Sequence, residues 1–223
     1  NPMPRLTLLT ALAFAFVATD ASGTFVTSRS GLDSSDFISW GQFGPPLTPV
    51  PGPASGSTDQ GLSFSVNDGN SDMERRDQGN GWGGNFAPGD ELIWTDGPDG
   101  PLSIRFDTAL DAVGAQVQQN QFGSFTGTIS AFDSGDNLLE SHNLLGNSNG
   151  AGDDAAIFLG IERAAADIAR VDFQVTTTDL AINQVDIDQG VTQVPVSGTL
   201  ALMGLGLAGL GWRRHAAWHR GAF

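Results

Sequence analysis

The chain has 223 residues, with 10 basic against 25 acidic side chains and a formal charge of −15 at pH 7. It contains no cysteine, no tyrosine and no lysine. That composition excludes a disulfide scaffold, and its negative field argues against nucleic acid or anionic lipid as a partner of its surface.

The N-terminal stretch has the order of a secretory signal. Arg5 supplies a positive start, residues 6–18 are apolar, and Thr19-Asp20-Ala21 offers a small-x-small site before Ser22. A signal peptide over 1–21, cut between Ala21 and Ser22, is expected. The apolar run is short for a retained membrane helix. The exported part, residues 22–193, has the length of one domain. It carries six arginines against 24 carboxylates, a balance that favours Ca²⁺, Mg²⁺ or neutral glycans over polyanions.

Along this body the strand signals dominate. Residues 37–43, 62–66, 92–95, 102–106 and 112–118 are candidate strands. Between them lie a proline-rich segment, 44–61, and a Gly/Asn/Asp-rich segment, 67–89, both expected as loops. Residues 125–132 alternate, with Phe125, Gly127, Ile129 and Ala131 on one face. The polar 133–136 turn leads to a return strand over 137–143, a hairpin. Residues 155–161 read as a buried strand, and 168–175 alternate with Ala169, Val171, Phe173 and Val175 on one face. Residues 180–187 alternate again, placing Leu180, Ile182, Gln184 and Asp186 opposite Ala181, Asn183, Val185 and Ile187. About ten short strands with Gly, Asn and Asp turns predict an all-β fold, an antiparallel β-sandwich or jelly roll.

Candidate sites are sparse. Asp68, Asn70 and Asp72 place oxygen donors at alternate positions, as a hard cation such as Ca²⁺ requires, though Met73 and Gly79 break the EF-hand pattern. The same residues also suit a plain polar turn. Asp153 and Asp154, near Asn147 and Asn149, form a second candidate metal set. Trp82, in a glycine-rich stretch, is the candidate ligand-binding aromatic for stacking on sugar rings; Trp40 and Trp94 fall in strand patterns and read as core. No catalytic residue is assigned. The body has one histidine, His142, read as an exposed cross-strand residue, and no HExxH motif. Paired carboxylates of a hydrolase could lie among the 24 acids, but sequence does not select the pair.

The chain closes on Val194, Pro195, Val196, Ser197 and Gly198, then an apolar run over 199–212, then Arg213 and Arg214. As a helix the run spans about 21 Å at ~1.5 Å per residue, and the preceding uncharged residues bring it near a membrane's thickness. The arginine pair is the expected membrane stop, holding that end in the cytoplasm. An uncleaved anchor would share these features.

The tail resembles the PEP-CTERM family of bacterial sorting signals, which membrane-embedded exosortases read. Val194-Pro195 matches the leading Val-Pro, and the apolar run and arginine pair match the rest. Where the family has Glu-Pro this chain has Val196-Ser197, closer to a Val-Pro-x-Ser-Gly variant, and residues 215–223 extend past the usual end. The run from Phe106 to Phe173 loosely resembles a β-sandwich domain common in such proteins. The resemblance implies one C-terminal hydrophobic helix, a sorting signal over 194–223, and an exosortase as partner. It further implies passage through the inner membrane, then the cell surface or extracellular space, and an association with extracellular polysaccharide. The expected function is a non-enzymatic exported matrix protein. The alternatives are a glycan- or Ca²⁺-binding lectin-like module and a carboxylate-dependent hydrolase.

Overall fold

A computed structural model describes residues 22–70 and 72–190. The expected signal peptide and the C-terminal helix lie outside the described residues. The chain forms, in order, β1 (Gly23–Val26), β2 (Asp36–Ile38), β3 (Thr48–Pro51), β4 (Ala54–Ser57), β5 (Ser63–Asn67), β6 (Asp72–Gln78), β7 (Gly81–Trp82) and β8 (Glu91–Trp94). Longer strands follow: β9 (Leu102–Leu110), β10 (Ala112–Gln119), β11 (Gly123–Phe132), β12 (Leu138–Ser148), β13 (Ile157–Arg163), β14 (Ile168–Val175) and β15 (Leu180–Asp188). Short 3₁₀ turns occupy Arg29–Gly31 and Trp40–Phe43.

The strands build two packed sheets. The first runs β1-β13-β10-β15-β8-β6-β3, with β2 also against β15 and β7 against β6; the second runs β12-β11-β14-β9-β5-β4. Every pairing between these strands is antiparallel except β6 with β7. The fold is therefore the all-β, two-sheet architecture that the alternation predicts. Ile104, Ile129, Val171 and Phe173 of the second sheet meet Val113, Ala115, Leu159 and Ile182 of the first, all fully buried. Each of these side chains apart from Ala115 contributes about 1.5–3 kcal/mol on removal from water.

Three expectations need correction. The proline-rich 44–61 segment contains β3 and β4, each with a single strand partner, so it forms an edge of both sheets. Proline suits an edge strand because the missing donor leaves no ladder bond unmade. The 67–89 segment contains β6, whose charged sequence hides a strand: Met73 and Arg75 point inward, and Arg75 is buried between Asp77 at 2.5 Å and Glu91 at 3.3 Å. The strand expected over 37–43 stops at Ile38, because Ser39 caps a 3₁₀ turn by accepting from the Gly41 N–H.

A bulge in β15 decides which residues reach the core. Ala115 faces Val185, yet Val117 faces Ile182, so β15 carries one extra residue there. Leu180 and Ile182 point inward before the bulge, and Val185 and Ile187 point inward after it. Strict alternation had placed the two pairs on opposite faces. Asn183 sits at the bulge and satisfies the groups it exposes. Its Oδ1 accepts the Gln116 backbone N–H at 3.1 Å, its Nδ2 donates to Asp90 Oδ2 at 2.9 Å, and its carbonyl accepts the Trp40 indole N–H at 2.8 Å. Asn183→Ala leaves the Gln116 N–H buried without an acceptor, a loss of about 1–3 kcal/mol. The expected outcome is a lower urea midpoint with an unchanged slope, read by fluorescence of the buried tryptophans.

Candidate functional site

The outer face of the first sheet is not left to solvent. Residues 79–90 fold back over it and bury Trp82 and Phe86 against Leu92, Ala156 and Ala181. Residues around Arg29–Gly31 cover a second part, where Leu32 packs on Val26, Ala112 and Phe158. Strand residues that point outward from this sheet, Gln116, Gln118 and Asn183, are consequently buried.

Side-chain amides satisfy one another under this cover. Gln78 clamps Gly84 in both directions, donating to its carbonyl at 2.9 Å and accepting its N–H at 3.1 Å. Gln118 accepts the Asn85 N–H at 2.7 Å and donates to Asn85 Oδ1 at 3.1 Å and Ser148 Oγ at 2.6 Å. Asn85 in turn donates to Asn149 Oδ1 and Asp153 Oδ1, both at 2.9 Å, and accepts the Asn149 N–H at 2.7 Å. Gly84 admits no side chain here, since a Cβ would lie 2.2 Å from Gln118 Oε1. Sequence reading missed these amides. In a strand pattern, isolated glutamines read as solvent-facing, and only the unusual density of Gln between 116 and 121 signals otherwise.

This cover corrects the reading of Trp82. The ring packs beside Phe86 and Trp94, with centroids at 6.4 and 6.2 Å, and the residue is only 6% exposed. Neither it nor the fully buried Trp40 presents a flat face to a sugar. The two candidate metal sets also take structural roles. Asp68 is buried and its Oδ1 accepts the Asn70 N–H at 3.1 Å, the plain turn. Asp72 opens β6, opposite Pro51. Asp153 accepts from Asn85 and from the Ala155 N–H, while Asp154 Oδ1 accepts from Gln116 Nε2 at 2.8 Å. The Asn85 bond holds the Asp153 carboxyl below the usual carboxylate range. Among the described residues no three His, Asp or Glu side chains are grouped to hold a metal ion.

Two grooves flank β1. One, of about 660 Å³, is lined by Arg29, Gln116, Asp154 and Phe158 among others. Arg29 lies over the Phe158 ring at 5.6 Å and pairs with Asp186, a buried carboxylate on β15. Burial pushes the Asp186 carboxyl up, and the bonds from Gln184 and Arg29 only partly offset this. The other groove, of about 840 Å³, is lined by Ser22, Gly23, Glu140, His142, Arg163 and Asp167 among others. Here Glu140 of the second sheet accepts from three donors: the Gly23 N–H, Arg163 on the first sheet, and His142 Nε2 at 3.0 Å. His142 is partly sheltered and stacks on Phe25 at 4.8 Å, so it is not a freely exposed residue. Arg163 also grips Asp167 at 2.5 Å, and that bond raises its pKa. The cluster is an ionic clasp between the open edges of the two sheets. The Ser141 hydroxyl, next to His142 in β12, lies 2.9 Å from the Ser130 hydroxyl of β11.

Asp111 marks the corner where the chain passes from β9 in the second sheet to β10 in the first. Its N–H donates to the Asp188 carbonyl at 3.1 Å and its carbonyl accepts the Arg163 N–H at 2.7 Å. Burial raises the Asp111 carboxyl pKa, and the nearby charges of Asp188 and Glu162 raise it further.

Comparison with known proteins places the strongest functional signal outside this body. Residues 193–214 match the family model described as the PEP-CTERM protein-sorting motif. The chain thus carries the tail of an exported protein processed by an exosortase. No curated protein matches the sequence. Among solved structures, the fold is similar to a DUF4465 family protein from Bacteroides caccae at 14% identity and a TM-score of 0.32, over 75% of this chain and 97% of that one.

Two outcomes follow from the packing and the charges. Trp82→Ala should cost about 3–5 kcal/mol, as buried aromatic truncations do, and thermal melting would record it as a global loss of stability. For Asp111 the folded state binds its proton more tightly than the unfolded chain does. Its charged form therefore disfavours folding, and that penalty grows as pH rises above the unfolded value of about 3.9. Asp111→Asn should raise Tm at pH 7, with the gain shrinking as pH falls to about 4, in a melting series across pH.

Proposed function

We propose that this chain is a non-enzymatic surface protein whose β-sandwich body is delivered across the inner membrane, held there by its tail, and then handed by an exosortase to an extracellular matrix containing polysaccharide. The match of residues 193–214 to the sorting motif carries the reading. The sequence supports the route at both ends: an apolar run over 6–18 behind Arg5, and another over 199–212 ahead of Arg213 and Arg214. The acid-rich body disfavours nucleic acid as its partner.

The body's own chemistry favours a structural role over catalysis. Its best acid–base pair, Glu140 with His142, has the carboxylate engaged by three donors. The carboxylates of Asp153, Asp154 and Asp186 are likewise engaged by Asn85, Gln116 and Arg29.

The test is to replace Pro195, Ser197 and Gly198 together by Ala in a host that carries an exosortase. The expected outcome is a heavier species retained in the membrane fraction, the same species that the unmodified chain leaves when the exosortase gene is deleted. Mass spectrometry and fractionation read both. Unchanged mass and release of the substituted chain would refute the assignment.

A further inference from the structure

The register of the first sheet places the two ends of the body together. Thr24 of β1 pairs with Glu162 of β13, Glu162 with Ala112 of β10, and Ala112 with Asp188 of β15. These four residues form one row across four neighbouring strands. At ~4.8 Å per strand, Thr24 and Asp188 are about 14 Å apart. The chain therefore enters β1 and leaves β15 at one pole of the sandwich. The second sheet shares this polarity: Leu110, at the end of β9, pairs with Ile168, and Phe132, at the end of β11, pairs with Arg170. The opposite pole holds the 95–101, 119–123 and 176–179 connections.

We propose that in the membrane-held precursor the body stands on this shared pole, facing the bilayer, and presents the opposite pole to the extracellular space. The inference rests on the reading of both terminal segments as membrane-directed. It adds an orientation that the reading does not contain. Both apolar runs would be reached from the same pole, so neither has to wrap the length of the sandwich to enter lipid. From Asp188 to Thr199 is eleven residues, a tether of at most about 37 Å when fully extended.

Charge sets how the pole meets the membrane. Asp111, Glu162 and Asp188 gather there, while the neighbouring Asp136 and Asp167 are paired with Arg105, Arg170 and Arg163. The uncompensated carboxylates are repelled by lipid phosphates, so the body stands off at tether length rather than lying on the surface.

The absence of cysteine makes the orientation measurable with single introduced thiols. Ala165 is exposed beside the shared pole, and Phe122 is exposed at the opposite one. The full-length chain carrying Ala165→Cys or Phe122→Cys is labelled with a donor dye. It is then reconstituted into phosphatidylcholine–phosphatidylglycerol vesicles bearing a headgroup acceptor. The poles are separated by about the length of β12, ~36 Å at ~3.3 Å per residue. Energy transfer from position 165 should be several-fold more efficient than from position 122. Equal or reversed efficiencies on membrane-bound protein would overturn the orientation and leave the sorting assignment standing. Failure of the chain to associate with the vesicles would overturn both.

Discussion

The need to satisfy polar groups that the cover places out of water governs this structure. The first sheet has a core face and a second face that is buried as well, beneath residues 79–90 and the segment around Arg29–Gly31. Four polar side chains point into that second layer, Gln116, Gln118, Asn183 and Asp186. An unpartnered amide there costs more than a typical hydrogen bond gains. The cover is therefore specific: Asn85 and Asp90 lie where Gln118 and Asn183 need them, and Gln78 of β6 clamps the cover's Gly84. Such a network is strong when complete and fragile when one member is lost.

The same layer ties local irregularities to the global fold. The extra residue in β15 frees the Gln116 N–H, and the Asn183 side chain takes it up. Trp40 then anchors its 3₁₀ turn to the Asn183 carbonyl, which fixes the chain between β2 and β3. At another flank, the ionic clasp of Glu140 and Arg163 joins β12, the edge strand of the second sheet, to β13 of the first. Hydrophobic contact between the sheets supplies the bulk of the cohesion. These polar anchors choose which register that contact adopts.

How much of this was legible differed by element. β14 is readable from Arg170 onward, because Val171, Phe173 and Val175 alternate against Arg170, Asp172 and Gln174; Ile168, which alternation puts with the polar residues, instead joins the core beside a register irregularity in the β9 pairing. β6 was hidden, because Glu74, Arg75, Arg76 and Asp77 look like a solvated run. Only in three dimensions does Arg75 find Asp77 and Glu91, and Arg76 the face of Trp94 at 4.2 Å. Trp82 looked available because its neighbours are glycines; Gly84 instead lets the chain pass close against Gln118, and Trp82 is buried there. The sorting tail was legible throughout. Its signal is linear, a short motif, an apolar run and two arginines, and needs no tertiary partner to be recognised.

The proline-bearing edge has a consequence for crowding. β3 and β4 border the two sheets on the same stretch of chain, and each is four residues long. Pro49 and Pro51 remove two donors from β3, so a neighbouring molecule finds no continuous ladder to extend there. Where identical copies crowd together, β3 therefore offers no donor row on which another copy could add a strand.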